Sequence, residues 1–263
     1  MVGNFCGGGA AVNALARTVG ARVSVLDVGV AGELERHPSL RGAKVRGGTD
    51  DLSRGPAMGR EEAARAVLAG AGVAEELVES GGVDLIVVGD MGIANTTPAA
   101  ALISALTGHL PEQTTGRGTG IDDETLNLKV RVVREALDLH RPEPADPTGV
   151  LATVGGLEHA AIAGVILMGA ACGVPVILDG VVSNSAALVA NALAPDAMGY
   201  VIAGHLSAEP GAKVALEYLG LEPLVDLGMR LGEGTGGLLA VPLVQAAARA
   251  LGEMATLEDL GFG

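Results

Sequence analysis

The chain has 263 residues, 49% of them hydrophobic, and contains 41 glycines. That composition excludes a disordered chain and favours a packed, loop-rich fold large enough to bury a sizeable core. The formal net charge of −14 repels polyphosphate backbones and argues against a nucleic-acid partner, so an anionic substrate has to be met by a few locally placed cations and amides.

In chain order, residues 23–26 are a short apolar run ending at Asp27, and a run of that length bounded by a turn reads as a buried strand. Residues 60–80 read as a helix broken softly at Gly70-Ala71-Gly72. A second apolar run, 85–88, ends at Gly89-Asp90. Residues 98–107 follow as a helix, with Thr97 as N-cap and Pro98 at its first position. Residues 122–139 form the clearest amphipathic helix. Leu126, Val130, Val133 and Leu137 recur at helical spacing while Lys129, Arg131, Arg134 and Glu135 lie elsewhere. The proline-rich stretch 141–147 joins helices of one domain. Residues 157–172 read as a helix within an uncharged run, 160–178, that meets the length test for a membrane span. Gly173 and Pro175 interrupt that run, and 176–178 before Asp179 reads as a strand, so a buried helix feeding a buried strand is expected, and no span. A helix at 185–193, a strand at 200–203 ending at Gly204-His205, and helices at 211–219 and 235–253 complete the chain. Apolar strands alternating with helices predict one α/β domain over residues 1–263, Rossmann-like, with an open, doubly wound, mostly parallel sheet covered on both faces.

In such a fold ligands sit beyond the carboxyl ends of the strands. Asp27, Asp90, Asp179 and His205 occupy those ends, so one cleft lined by three carboxylates and a histidine is expected, although an aspartate after a strand is also ordinary turn chemistry. The corner from Asp90 to Pro98 combines small residues with a helix N-terminus, which suits a phosphate. Gly116-Arg117-Gly118-Thr119-Gly120 is a second glycine-rich corner, where Arg117 and Lys129 could supply cations. It is not a dinucleotide fingerprint, and no P-loop occurs. Glu233, flanked by glycines at 232 and 234, has few side chains to crowd it. Withdrawn from water, such a carboxylate gains basicity, and a nearby helix N-terminus opposes that. His205 and Ser207 alternate on a loop without a nucleophile elbow, and read equally as ligand contacts or as a helix cap. Cys6 and Cys172 form no paired motif, and histidines are not clustered, so neither a disulfide framework nor a metal is expected. No leader pattern opens the chain, and a reducing, cytoplasmic setting fits.

Five stretches together resemble the nicotinate-nucleotide–dimethylbenzimidazole phosphoribosyltransferase family. They are Gly89-Asp90-Met91-Gly92-Ile93-Ala94-Asn95-Thr96-Thr97, Gly118-Thr119-Gly120-Ile121-Asp122-Asp123-Glu124, Leu178-Asp179-Gly180, His205-Leu206-Ser207, and the segment from Leu227 to Gly236. Their order and spacing match along the whole chain. The resemblance implies that a benzimidazole nitrogen displaces nicotinate from C1 of the ribose of nicotinate mononucleotide, with inversion and with no added cofactor. The family's base falls on Glu233, and its second acid on Asp90, where many relatives carry Glu. Substrate contacts are implied for Met91, Gly92, Asn95 and Thr96 in the first corner and for Gly118, Thr119, Gly120 and Lys129 in the second. Asp179, His205, Ser207 and Leu231 complete them, with Met91 and Leu231 flanking the benzimidazole. A homodimer is implied too. The family's N-terminal segment, with its Lys-Pro-Pro-Gly-Ser-Leu-Gly-like stretch, is expected to be missing before Met1 and the small helical subdomain to be incomplete. Two other classes share these residues: a nucleotide-binding relative or fragment that binds without turnover, and a hydrolytic or other glycosyl-transferring enzyme.

Overall fold

A computed structural model describes residues 1–261, so the last two residues of the expected domain lie outside the described residues. The chain opens with α1 (Val2–Cys6) and α2 (Ala11–Val19), then β1 (Val25–Asp27), β2 (Leu40–Gly42), α3 (Arg60–Glu79) and β3 (Ile86–Val87). Helices α4 (Thr96–Thr107), α5 (Pro111–Thr114), α6 (Asp123–His140), α7 (Pro147–Val154) and α8 (Leu157–Ala171) lead to β4 (Val176–Leu178). There follow α9 (Val181–Leu193), a 3₁₀ turn (Pro195–Tyr200), β5 (Val201–Ala203), α10 (Pro210–Leu219) and α11 (Thr235–Glu253).

All pairing between the named strands is parallel, but the strands divide into two sheets rather than one. β3, β4 and β5 lie side by side in that order, with Val87 opposite Ile177 and Ile177 opposite Ile202. β1 pairs with β2, which carries an arginine among few apolar residues and leaves no strand pattern in the sequence. The three-stranded sheet is covered on both faces, as the period-2 alternation of side chains requires. Ile177, with Val87 and Ile202, packs against Ala16 of α2 and Leu238, Ala240 and Val241 of α11. Val176, Leu178 and Val201 point the other way, into the larger core built with α8 and α9.

The uncharged run that could have been a membrane span is this core's centre: Ala160, Ala163 and Ile166 of α8 are fully buried. No helix among the described residues is long and apolar enough to cross a membrane. The soft break expected at Gly70–Gly72 does not occur, and α3 runs unbroken through it. A Cβ on Gly70 would overlap the Ala161 carbonyl, and one on Gly164 would overlap that of Val67. Glycine here lets two helices touch backbone to backbone, which offsets its roughly 1 kcal/mol propensity cost.

Two helix starts also differ from expectation. α4 begins at Thr96, so Asn95 and not Thr97 is the N-cap, and no side chain caps it because Asn95 is bonded elsewhere. α9 begins at Val181, directly after Asp179-Gly180, and not at 185. The proline-rich stretch does join two helices. Arg141 ends α6 in a left-handed conformation, and Asp146 caps α7 through Gly149 N–H at 3.1 Å while pairing with Arg60 at 2.6 Å.

Candidate active site

A cleft of ≈ 520 Å³ lies beyond the C-terminal ends of β3, β4 and β5. Its walls come from the corner after β3 (Gly89 to Thr97), the corner from Arg117 to Ile121, one face of α6, the start of α9, and the loops after β5 and before α11. Three of the four strand-end residues meet there: Asp90, Asp179 and His205. Asp27 does not, because β1 belongs to the other sheet. Its carboxylate instead accepts from Val30 N–H at 2.9 Å and pairs with Lys44 at 3.3 Å.

Asp90 leaves β3 with its side chain in the cleft, where Asn95 Nδ2 donates to Oδ2 at 2.6 Å. Burial, and after it the nearby carboxylate of Glu158, push the Asp90 carboxyl up to about 7, with a smaller contribution from Asp179; Asn95 and His159 oppose them. Neither Glu158 nor His159 stands out in the sequence, since an acid in a helix's first turn is commonplace. His159 is fully buried with its Nδ1 2.9 Å from Glu158 Oε1, and that imidazole holds the Glu158 carboxyl down against burial, which raises it.

Asp179 is almost fully buried and serves the backbone. It accepts from Gly234 N–H at 3.0 Å, Gly236 N–H at 2.7 Å and Gly237 N–H at 3.4 Å, satisfying the free amides at the start of α11. His205 Nε2 lies 3.5 Å from the same carboxylate. A Cβ on Gly236 would overlap the His205 ring, and one on Gly89 would overlap Gly234, so the glycines of this loop are set by close approach.

Glu233 stands between Gly232 and Gly234, and all three have left-handed backbones (φ 85°, 64° and 85°). Its amide donates to Asp90 O at 3.1 Å, so the two acids come from abutting corners. Its carboxylate is not among the cleft-lining groups: Oε2 accepts from Val12 N–H at 3.3 Å, at the N-terminus of α2. The neighbouring Arg230, Leu231 and Gly232 do line the cleft.

The cleft also carries a cation. Lys129 of α6 donates from Nζ to Thr96 Oγ1 at 2.7 Å and to Gly116 O at 2.9 Å, tying the two glycine-rich corners together. Burial lowers its pKa, and the carboxylate of Glu209 opposes that. Arg117 also reaches the cleft, but its guanidinium is engaged by Asp123 and by Ile121 O. Of the remaining expected contacts, Met91, Gly92, Thr119 and Ser207 line the cleft, whereas Gly120 does not. Glu209, Arg230 and Ser183 line it without having been anticipated. Glu209 in particular precedes Pro210-Gly211 and reads in the sequence as a helix-start acid. Among the described residues no group of three or more His, Cys, Asp or Glu is placed to hold a metal ion.

A parallel α/β fold whose strand-end cleft is lined by an aspartate and a half-buried lysine, with a second acid beside it, suits an anionic small molecule and proton-coupled chemistry. A family described as phosphoribosyltransferase matches residues 1–261. The nicotinate-nucleotide–dimethylbenzimidazole phosphoribosyltransferase of Salinispora tropica is 56% identical, over 99% of this chain and 75% of its own length. That of Desulforudis audaxviator is 54% identical, over 99% and 74%. The crystal structure of CobT from Thermus thermophilus superposes with a TM-score of 0.95 at 50% identity, covering 100% of this chain and 78% of that one. The chain belongs to the nicotinate-nucleotide–dimethylbenzimidazole phosphoribosyltransferase family.

Proposed function

We propose that this chain transfers the phosphoribosyl group of nicotinate mononucleotide to 5,6-dimethylbenzimidazole, giving α-ribazole 5′-phosphate and nicotinate for the lower ligand of cobalamin. The observation that carries the reading is one cleft lined by both Asp90 and Lys129, with the backbone of Glu233 bonded to that of Asp90 beside it. One azole nitrogen attacks C1 of the ribose as the bond to nicotinate breaks, and the proton on the other nitrogen passes to a carboxylate. The pyridinium leaving group is already activated and takes no proton, so one base suffices. Glu233 is that base, after its side chain turns from Val12 toward the cleft. Asp90 faces the positive charge that develops on the sugar. Lys129 and the amides near Gly92, Gly118 and Ser207 hold the phosphate and ribose, and Met91 and Leu231 flank the benzimidazole. The α/β domain works in the cytoplasm as a homodimer.

A second assignment exchanges the acids. Asp90 already lines the cleft with its carboxyl near 7, where a general base is most effective. Glu233→Gln separates the two: kcat falls by roughly 10²–10⁴-fold with nucleotide affinity nearly intact if Glu233 is the base, and stays near the parent value if Asp90 is. For the reaction itself, chromatography of an incubation with both substrates is decisive. α-Ribazole 5′-phosphate that forms only when both are present supports transfer. Ribose 5-phosphate in its place would make the chain a hydrolase, and calorimetric binding without either product would make it a binding protein.

A further inference from the structure

We infer that Glu209 is a positioning residue of the phosphate-binding corner: its carboxylate fixes the Gly116–Gly120 loop by holding the Gly118 amide, and the missing side chain of Gly116 makes the room for it. The inference rests on the reading of Lys129 and its surroundings as the phosphate site.

Glu209 follows β5 and immediately precedes α10, and only 5% of it is exposed although it lines the cleft. Its Oε1 accepts from Gly118 N–H at 2.8 Å, a contact between segments 91 residues apart in the chain. The same carboxylate's Oε2 occupies the space that a Cβ on Gly116 would need. Gly118 is left-handed (φ 53°), a conformation that glycine adopts freely, inside a turn in which Gly120 N–H and Ile121 N–H donate to Arg117 O at 3.0 and 3.2 Å. That turn is tied to the rest of the fold by two side chains from outside the loop. Lys129 Nζ holds Gly116 O, and Glu209 Oε1 holds Gly118 N–H. The two clamps carry opposite charges and meet the loop two residues apart. Glu209 thereby balances the half-buried ammonium before an anion binds, and it places the loop's remaining amides ahead of the nucleotide's arrival. An isolated carboxylate beside a phosphate would repel it; here the ammonium of Lys129, which also lines the cleft, offsets that charge. A buried carboxylate without that amide would be left unsatisfied, which is costly in itself.

The test compares steady-state KM and kcat for nicotinate mononucleotide among Glu209→Ala, Glu209→Gln, Gly116→Ala and Lys129→Ala. Glu209→Ala is expected to raise KM at least tenfold with a much smaller change in kcat, because the loop loses its register while Asp90 and Glu233 are untouched. Glu209→Gln keeps an oxygen acceptor for Gly118 and recovers most of that loss. Gly116→Ala evicts the carboxylate and reproduces the Glu209→Ala defect, and the double variant Gly116→Ala/Glu209→Ala is no worse than either single one. That non-additivity is what a mere loss of stability would not give. An unchanged KM in Glu209→Ala while Lys129→Ala raises it overturns the inference and leaves the phosphate reading standing. An unchanged KM in Lys129→Ala removes both. Should Glu209→Ala not fold, Gly116→Ala and Glu209→Gln decide alone: a normal KM in Gly116→Ala, or a full defect in Glu209→Gln, overturns the inference.

Discussion

Asp90 shows how a single side chain couples stability to chemistry. Its carboxyl titrates near 7 in the folded chain, against 3.8 for a free aspartate. Between those values the folded state keeps a proton that the unfolded chain has lost, so stability falls as pH rises through that window and the full cost is present above about 7. Asp90→Asn removes the cost. Thermal melts should find that variant more stable than the parent at pH 8 and equal to it near pH 4. Activity should follow the same group in the opposite sense. In its proposed role the anion facing a positively charged sugar is gained on passing pH 7, so kcat/KM should rise across that value in the parent. Glu158→Gln takes away a neighbouring negative charge and moves the rise to lower pH. A rate profile with no inflection near 7, or one indifferent to Glu158, would separate Asp90 from the chemistry.

At the scale of elements, the close contact of α3 with α8 and the start of α11 are the two places where one substitution does most. Gly164→Val drives a branched side chain into the Val67 carbonyl across the helix pair, and overpacking of that kind costs about 3 kcal/mol, a fall in Tm of roughly 10 °C. Asp179→Ala leaves amides at the start of α11 without their acceptor, for roughly 2 kcal/mol. It should also depress kcat, because the loop it anchors carries Glu233. A Gly164→Val protein that melts with the parent would mean that the helices can slide apart at no cost. The same elements show what a sequence discloses. α6, β4 and the span of α11 are legible in it, since amphipathic spacing, an apolar run ending in Asp, and a glycine cluster are local patterns. β2, the unbroken course of α3 and the true cap of α4 are not, because each is decided by a partner outside its own segment: β1, α8 and Asp90 respectively. Glu209 and Glu158 stay hidden for the same reason. An acid before a helix looks alike whether it faces water or a buried amide.

For the molecule as a whole, the dominant fact is an excess of negative charge surrounding a cleft that must accept an anion. The formal charge of −14 disfavours approach of a nucleotide at long range, so Lys129 acts locally against an adverse background. Lys129→Ala should raise the nucleotide KM roughly tenfold at low salt, and by less as salt screens the interaction. In the parent, moderate salt should speed nucleotide capture rather than slow it; a capture rate that falls with salt would contradict that picture. Among the exposed apolar side chains are Leu243 and Leu251 on α11 and Met254 and Leu257 just after it. They are the surface on which the proposed homodimer would draw. Sedimentation of the whole chain should give twice the monomer mass, and Leu251→Glu should lower it; a parent that sediments as a monomer removes the dimer from the account.

The left-handed backbone at Glu233 sets durability against reactivity. A glutamate there is held in a conformation that costs about 1 kcal/mol more than it would for glycine. Glu233→Gly should therefore yield a protein that outlasts its parent on heating and, with Glu233 as the proposed base, turns over nothing. Selection for robustness alone would erase that side chain, and the proposed role as base is a demand that would keep it in place.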